Sequence, residues 1–323
     1  MTDNPWSPTG KPVAPLNAPL RRATSRPPIR AGTTDGAHGQ GRGPMAGSSR
    51  LTTECTSRRR AIWSVVAFGL TIAALALAFS LLALPWSDLP WWKIFRRCVS
   101  IASAVSLWWW IRIVERRSFR SYGFSSPRAG KRQLLFGLSV GIMVLGLMLV
   151  VGLATGVCQV AVTSDQVRLW RTVLGFIPVA GLVSVLEELV FRGFILQHLL
   201  PSSKLLAVLG SSTLYALVHL KTTAFGLATW LELGGLLLLG VVLVLSYLLT
   251  NQLYLAVGLH AALAYGARVN KLLIELPDSS MVWLVGTSRI VNGLAGWVAL
   301  LGIGGIVLWW ARSQQGGARD GNV

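Results

Sequence analysis

Eight apolar blocks account for most of this 323-residue chain, and each block is long enough to form a membrane helix. Crossing a hydrocarbon core of about 30 Å takes roughly 20 helical residues. The blocks cover residues 61–84, 95–114, 134–157, 172–199, 204–220, 229–250, 253–269 and 291–310. The sequence therefore predicts an all-α fold, a polytopic membrane helix bundle of about eight transmembrane helices.

The segments outside these blocks differ in composition. Residues 1–60 are rich in Pro, Gly, Ser, Thr and Arg and lack an apolar period, which predicts a disordered N-terminal tail. The first block, of about 24 residues, exceeds the roughly 7–15 of a signal-peptide core, so we expect it to remain as a span. Residues 61–310 form the predicted transmembrane domain, and residues 311–323 form a short polar C-terminal tail.

The formal net charge of +18 is compatible with nucleic-acid binding, but the positions of the basic residues favour a membrane. Arg58, Arg59 and Arg60 precede the first block, and seven further basic residues lie from residue 112 to residue 132, around the loop between the second and third blocks. Basic clusters beside spans mark the cytoplasmic side. We therefore predict a multi-pass protein of the cell membrane with cytoplasmic termini, whose partner is the lipid bilayer and not nucleic acid.

Three charged residues interrupt the fourth block in the stretch VLEELVFRGF, residues 185–194. A charged side chain inside a span is costly, so intramembrane charges usually have a function. Glu188 and Arg192 are four residues apart, in the favourable order for an ion pair on one helix face. Glu187 lies about 100° around the helix and is left available. A desolvated carboxylate of this kind is suited to act as a general base.

Two of the four histidines also fall in apolar blocks, His219 in the fifth and His260 in the seventh. If the fourth and fifth blocks form an antiparallel hairpin around Pro201, Glu187 lies about 21 Å before the turn and His219 about 27 Å after it. Because these depths are similar, the two side chains can meet inside the membrane.

These residues resemble the signature of the CPBP intramembrane proteases, the family of CAAX-prenyl proteases and bacteriocin-processing enzymes also called Abi. The family has E-E-x-x-x-R on one helix, F-x-x-x-H on the next, and H-x-x-x-N or H-x-x-x-D on a later one. The first motif is complete here, and the second runs from Tyr215 to His219 with Tyr in place of Phe. The third is half present, because Ala264 follows His260 where the family has Asn or Asp. The resemblance covers roughly residues 110–310, including the basic stretch ERRSFRSYGFSSPR.

By this resemblance, Glu187 is the base that activates water together with His219. Glu188 and Arg192 hold that base in place, and His260 helps to stabilise the oxyanion. Peptide hydrolysis needs these two elements, an activated water and a donor for the developing negative charge. Two His and one Glu also match a zinc site with water in the fourth position, but no H-E-x-x-H is present. Metal-independent catalysis is therefore favoured, and Zn²⁺ stays open.

The alanine at position 264 leaves the predicted oxyanion site one donor short. Loss of one such donor costs about 2.7–4 kcal/mol, or 10²–10³ in rate. The candidate replacements are Tyr215, Tyr265, Asn270 and Asn292.

The sequence thus predicts a CPBP-type intramembrane endopeptidase that cleaves a membrane-associated peptide or protein. The alternative, prompted by Ala264, is a non-catalytic or attenuated relative that binds membrane-protein partners. A proton-coupled transporter is disfavoured because no inverted repeat is visible. With the Pro201 turn in the cytoplasm, the layer of Glu187 and His219 lies about 20 Å away and opens toward the outer half of the membrane. Cleavage of the CAAX type would instead require access from the cytoplasm.

Overall fold

The computed structural model describes residues 46–124, 127–220, 226–275, 281–286 and 292–320. Residues 1–45, most of the predicted tail, lie outside the described residues. The first helix begins at Ala46 and the last one ends at Asp320, so both continue beyond the predicted transmembrane domain of residues 61–310. The apolar blocks underestimate the lengths of these helices. Polar residues extend the helical backbone beyond the segment that is apolar enough to lie in lipid.

The described residues form helices at all eight predicted apolar blocks. The helices are α1 (Ala46–Ala83), α2 (Trp91–Trp109), α3 (Pro127–Ala154), α4 (Gln166–Glu188), α5 (Leu196–Leu199), α6 (Lys204–His219), α7 (Leu227–Thr250), α8 (Tyr254–Leu273), α9 (Val282–Val285) and α10 (Leu294–Asp320). Six segments in the described part of the chain are long and apolar enough to cross a membrane. The apolar α6 is shorter, with 16 residues. The predicted all-α polytopic bundle is confirmed.

The segment from α4 to α6 forms the hairpin expected around Pro201. Asp165 caps the start of α4, because its Oδ1 accepts a hydrogen bond from the backbone N–H of Arg168 at 2.9 Å. A π-helical segment, Leu189–Ile195, follows α4 and leads into α5. Wider turns of this kind occur often at functional sites, and this one begins directly after Glu188. The chain then turns and returns as α6.

Helix α8 packs against α3, α4 and α7 and so lies inside the bundle. Its contact with α3 is close because a glycine on each helix faces the backbone of the other helix. A Cβ at Gly258 would lie 2.2 Å from the carbonyl oxygen of Leu134, and one at Gly137 would lie 2.4 Å from that of Leu255. Small residues permit this kind of approach between membrane helices. The approach fixes the position of α8, which carries His260.

A two-stranded antiparallel ribbon, which the sequence did not predict, joins the α3–α4 connection to the end of α8. Strand β1 (Gln159–Val160) pairs with β2 (Ile274–Glu275), with Gln159 opposite Glu275. Strands of two residues have no period that a sequence pattern can reveal. The ribbon holds the start of α4 near the end of α8.

Candidate active site

The structure brings the five predicted site residues into one cluster. The last turn of α4 contributes Glu187 and Glu188, and the π-helical segment contributes Arg192. Helix α6 contributes His219 and α8 contributes His260. Side chains from three separate parts of the chain therefore converge; the helical spacing predicts the meeting of Glu187 with His219, and the family resemblance adds His260.

The ion pair expected between Glu188 and Arg192 is present and completely enclosed. Arg192 Nη1 lies 2.9 Å from Glu188 Oε1, and both side chains have 0% of their surface exposed. Arg192 Nη2 donates to the carbonyl oxygen of Gly240 at 3.1 Å, which connects the π-helical segment to α7. The guanidinium carbon also lies 4.6 Å from the ring centroid of Tyr215. These contacts hold the pair against α7 and against the ring of Tyr215.

His260 lies between the two carboxylates. Its Nδ1 is 2.8 Å from Glu188 Oε1, and its Nε2 is 3.4 Å from Glu187 Oε2. Only 6% of the His260 side chain is exposed. The imidazole therefore connects the enclosed ion pair to the more accessible glutamate, a position that sequence spacing did not reveal.

Glu187 and His219 form the accessible part of the cluster. His219 Nε2 lies 3.1 Å from Glu187 Oε2, and the two side chains are 26% and 24% exposed. His219 Nδ1 donates to the carbonyl oxygen of Tyr215 at 2.8 Å, because a carbonyl can only accept. The ring is thereby oriented with Nε2 toward Glu187. Among the described residues, Glu187 Oε2 is shielded from solvent and has no partner with good hydrogen-bond geometry, although the Nε2 atoms of both histidines lie within 3.4 Å of it.

The cluster can be neutral with a single shared proton. Two ionised glutamates carry two negative charges, and Arg192 supplies one positive charge. A proton on one imidazole balances the remaining charge. Such balance matters because an unpaired charge in a buried site is strongly destabilising.

The histidines and glutamates do not fit a zinc site in this arrangement. Among the described residues, no group of three or more His, Cys, Asp or Glu side chains could hold a metal ion. Both Nε2 atoms point to the same oxygen, Glu187 Oε2, rather than to a common empty point.

Of the proposed replacements for the missing oxyanion donor, Tyr265 is otherwise engaged, since its hydroxyl donates to the carbonyl oxygen of Val173 at 2.9 Å. Ser184 is a further candidate donor that the sequence motifs do not indicate. This residue is one turn before Glu188, is completely buried, and its hydroxyl has no hydrogen-bond partner among the described residues. Because α4 and α8 are antiparallel and Glu188 meets His260, one turn further along each helix places Ser184 opposite Ala264.

A second polar cluster connects the basic loop to the turn after the site. His198 Nε2 lies 2.9 Å from Glu115 Oε1, and Tyr122 donates a hydrogen bond to the same carboxylate. Burial raises the pKa of Glu115, but the hydrogen bonds from His198 and Tyr122 outweigh it and lower the pKa below its usual range. Burial and the bond to Glu115 raise the pKa of Tyr122. Gln197 also donates to the carbonyl oxygen of Tyr122 at 3.2 Å.

The family model of the Rce1-like type II CAAX prenyl endopeptidases matches residues 169–265. This segment contains the positions of all three motifs, from Glu187 to Ala264, with the third only half present, and the resemblance to the family is confirmed over it. No curated protein and no solved structure shows significant similarity to the chain. The match supports an intramembrane protease in general, and together with the six apolar spans it supports a multi-pass membrane protein.

Proposed function

We propose that the chain is a CPBP-type intramembrane endopeptidase in which Glu187 activates water to attack a peptide bond of a membrane-associated substrate. The observation that carries this proposal is the position of Glu187 Oε2, which lies near two imidazole Nε2 atoms and yet belongs to a partly exposed side chain. Comparing peptide termini in membranes that contain the wild type or Glu187→Gln tests it.

In the proposed reaction, the water oxygen forms a bond to the carbonyl carbon and its proton passes to Glu187. The carbon–nitrogen bond then breaks, and the proton is delivered to the leaving amine. His219 assists because its Nδ1 is held by the carbonyl of Tyr215, which keeps Nε2 beside the glutamate during the transfer. A base within hydrogen-bond reach of the proton contributes about 10²–10⁴ in rate.

The other three residues of the cluster support this step. The pair of Glu188 and Arg192 is enclosed and cannot reach a substrate without rearrangement, which favours a positioning role. His260 contacts both glutamates, so it fixes the distance between them and supplies a positive charge when protonated. In the proposed reaction that charge stabilises the negative charge that develops on the tetrahedral intermediate.

The second candidate function is an attenuated or non-catalytic relative that binds membrane-protein partners. It is favoured by Ala264, because the methyl side chain of alanine cannot donate a hydrogen bond. The engagement of Tyr265 with Val173 removes one of the expected replacements.

Replacing Ala264 with Asn is expected to raise turnover by up to about 10²-fold, if the chain is a working but attenuated protease. Position 264 lies one helical turn beyond His260 on the same face, so an amide there can donate to the same oxyanion. The measurement is the rate of formation of new peptide termini in reconstituted membranes. The double variant Ala264→Asn with Glu187→Gln is expected to stay inactive.

Ala264→Leu is the control for size, because it adds similar bulk without a donor. A rate increase in both variants would show that packing, not hydrogen bonding, limits turnover. If Ala264→Asn leaves the rate unchanged while Ser184→Ala lowers it, the Ser184 hydroxyl already supplies the donor. Retention of partners together with no cleavage in any variant supports the binding protein instead.

The orientation that we propose places the α2–α3 loop and the C-terminus in the cytoplasm, because basic residues concentrate at that end of the bundle. Reporters fused after truncation at Arg132 and after Arg312 are both expected to report the cytoplasmic side. Reports from opposite sides would remove one span from the proposed eight. A reporter fused at Gly156, between α3 and α4, is the control and is expected on the outer side.

A further inference from the structure

A basic cavity lies at the end of the bundle opposite the α2–α3 loop. It has a volume of about 570 Å³ and opens between the first turns of α4 and the second half of α8. Its charged lining consists of Arg168 and Arg171 from α4, Arg268 from α8, and Asp165. Three guanidinium groups therefore share the cavity with one carboxylate. The positive-inside distribution does not account for them, because they lie at the other end from the main basic cluster.

The single carboxylate does not neutralise the arginines. Asp165 Oδ1 accepts a hydrogen bond from the backbone N–H of Arg168 and so serves as the cap of α4. Among the described residues, none of the three arginines forms an ion pair with a carboxylate. Like charges held close together repel, and a bound anion would relieve that repulsion. Guanidinium groups bind phosphate oxygens in particular, through paired hydrogen bonds.

The cavity has an arginine oriented across it and open space at its wall. The Arg268 guanidinium carbon lies 5.9 Å from the ring centroid of Phe176, which directs this side chain from α8 toward α4. At Gly175, which also lines the cavity, no heavy atom lies within 4 Å of the position that a Cβ would take. A group the size of a phosphate therefore has room beside α4.

An exposed apolar stripe begins next to the cavity. Val167, Trp170, Leu174 and Ile177 recur every three or four residues along α4 and are 79%, 58%, 60% and 56% exposed. Ten residues of helix span about 15 Å, so the stripe extends well into the hydrocarbon region. A ligand with a phosphate at the arginines and acyl chains along this stripe would bind both the basic cavity and the apolar surface of α4. A soluble anion would use only the first.

We propose that this cavity binds the phosphate of an anionic membrane lipid, with the headgroup among Arg168, Arg171 and Arg268 and the acyl chains along the exposed stripe of α4. Guanidinium groups between membrane helices supply the positive charge and the paired donors that such a headgroup binds. Arg168 and Arg268 lie just outside the family-matched residues 169–265, whereas Arg171 lies within them, so the site straddles the boundary of the matched segment. The proposal is independent of the proteolytic function.

The test is thermal unfolding of the full chain in detergent micelles, titrated with phosphatidylglycerol, phosphatidylcholine or inorganic phosphate. Phosphatidylglycerol is expected to raise the Tm in a saturable manner, because a ligand that binds the folded state stabilises it. The other two are expected to produce little shift at equal concentration. In the double variant Arg168→Gln with Arg268→Gln, the affinity is expected to fall by about 10-fold for each arginine removed.

Two further variants separate a built site from general surface charge. Gly175→Leu keeps every charge but fills the cavity, and it is expected to remove the saturable shift even if the arginine variants fold poorly. Arg96→Gln with Arg97→Gln removes two exposed charges from another basic cluster, on α2, and is expected to leave the shift unchanged. The Glu187→Gln variant is also expected to bind normally, so a failure of the protease proposal remains separate.

Three results would overturn the proposal. An equal shift with inorganic phosphate would show a soluble-anion site without a lipid tail. An equal loss in the α2 control would show unspecific attraction to the charged surface. The absence of any saturable shift with phosphatidylglycerol in the wild type would show that the cavity binds no such lipid.

Discussion

Glu187→Gln is expected to lower peptide hydrolysis by about 10²–10⁴-fold while changing the free energy of unfolding by no more than about 1 kcal/mol. The amide keeps the shape of the carboxylate but cannot take a proton from water. The small effect on stability follows from the position of the side chain, which is 24% exposed and lies outside the enclosed ion pair. The measurements are the new peptide termini in membrane fractions and the unfolding of the purified variants.

The control for this prediction is Glu275→Gln, which changes an exposed carboxylate on β2, about 20 Å beyond His260 by the helical rise of α8. It is expected to retain wild-type cleavage. If Glu187→Gln leaves the peptide termini unchanged and also keeps its co-purified partners, the protease proposal must be abandoned for the binding protein. If Glu275→Gln loses activity as well, the assay reports a general effect of charge.

The convergence of the site could be predicted because helical geometry turns sequence spacing into position. Glu188 and Arg192 are four residues apart and meet on one face, as an α-helix requires. Similar depths on either side of the Pro201 turn bring Glu187 to His219. Both inferences use only the rise and the rotation per residue of an α-helix. They can be made because the apolar blocks show which residues are helical.

The remaining features depend on contacts between helices that are distant in sequence. The position of His260 between two carboxylates follows from the close packing of α8 on α3 through Gly137 and Gly258. No sequence pattern within α8 predicts that it packs against α3. The basic cavity likewise needs Arg268 and Arg171, which are separated by most of the matched segment, to line the same space. The order of the helices along the chain does not predict which of them are neighbours in the bundle.

Glu188→Gln is expected to reduce activity and, unlike Glu187→Gln, to lower the free energy of unfolding by about 3–5 kcal/mol. The side chain is completely buried, and its Oε1 lies 2.9 Å from Arg192 Nη1 and 2.8 Å from His260 Nδ1. An amide at this position leaves the guanidinium as a buried charge without its carboxylate. The measurement is equilibrium unfolding in detergent, with both glutamine variants under the same conditions.

A double variant decides whether the cause is the unpaired charge. Adding Arg192→Met to Glu188→Gln removes that charge while keeping an apolar side chain of similar length, so stability is expected to recover in part and activity is not. Recovery is limited because Arg192 also donates to the carbonyl of Gly240, which then loses a partner. If the double variant is as unstable as the sum of the single variants, the charge pair is not the cause. If the two glutamine variants match in both stability and activity, the division between a chemical Glu187 and a supporting Glu188 is wrong.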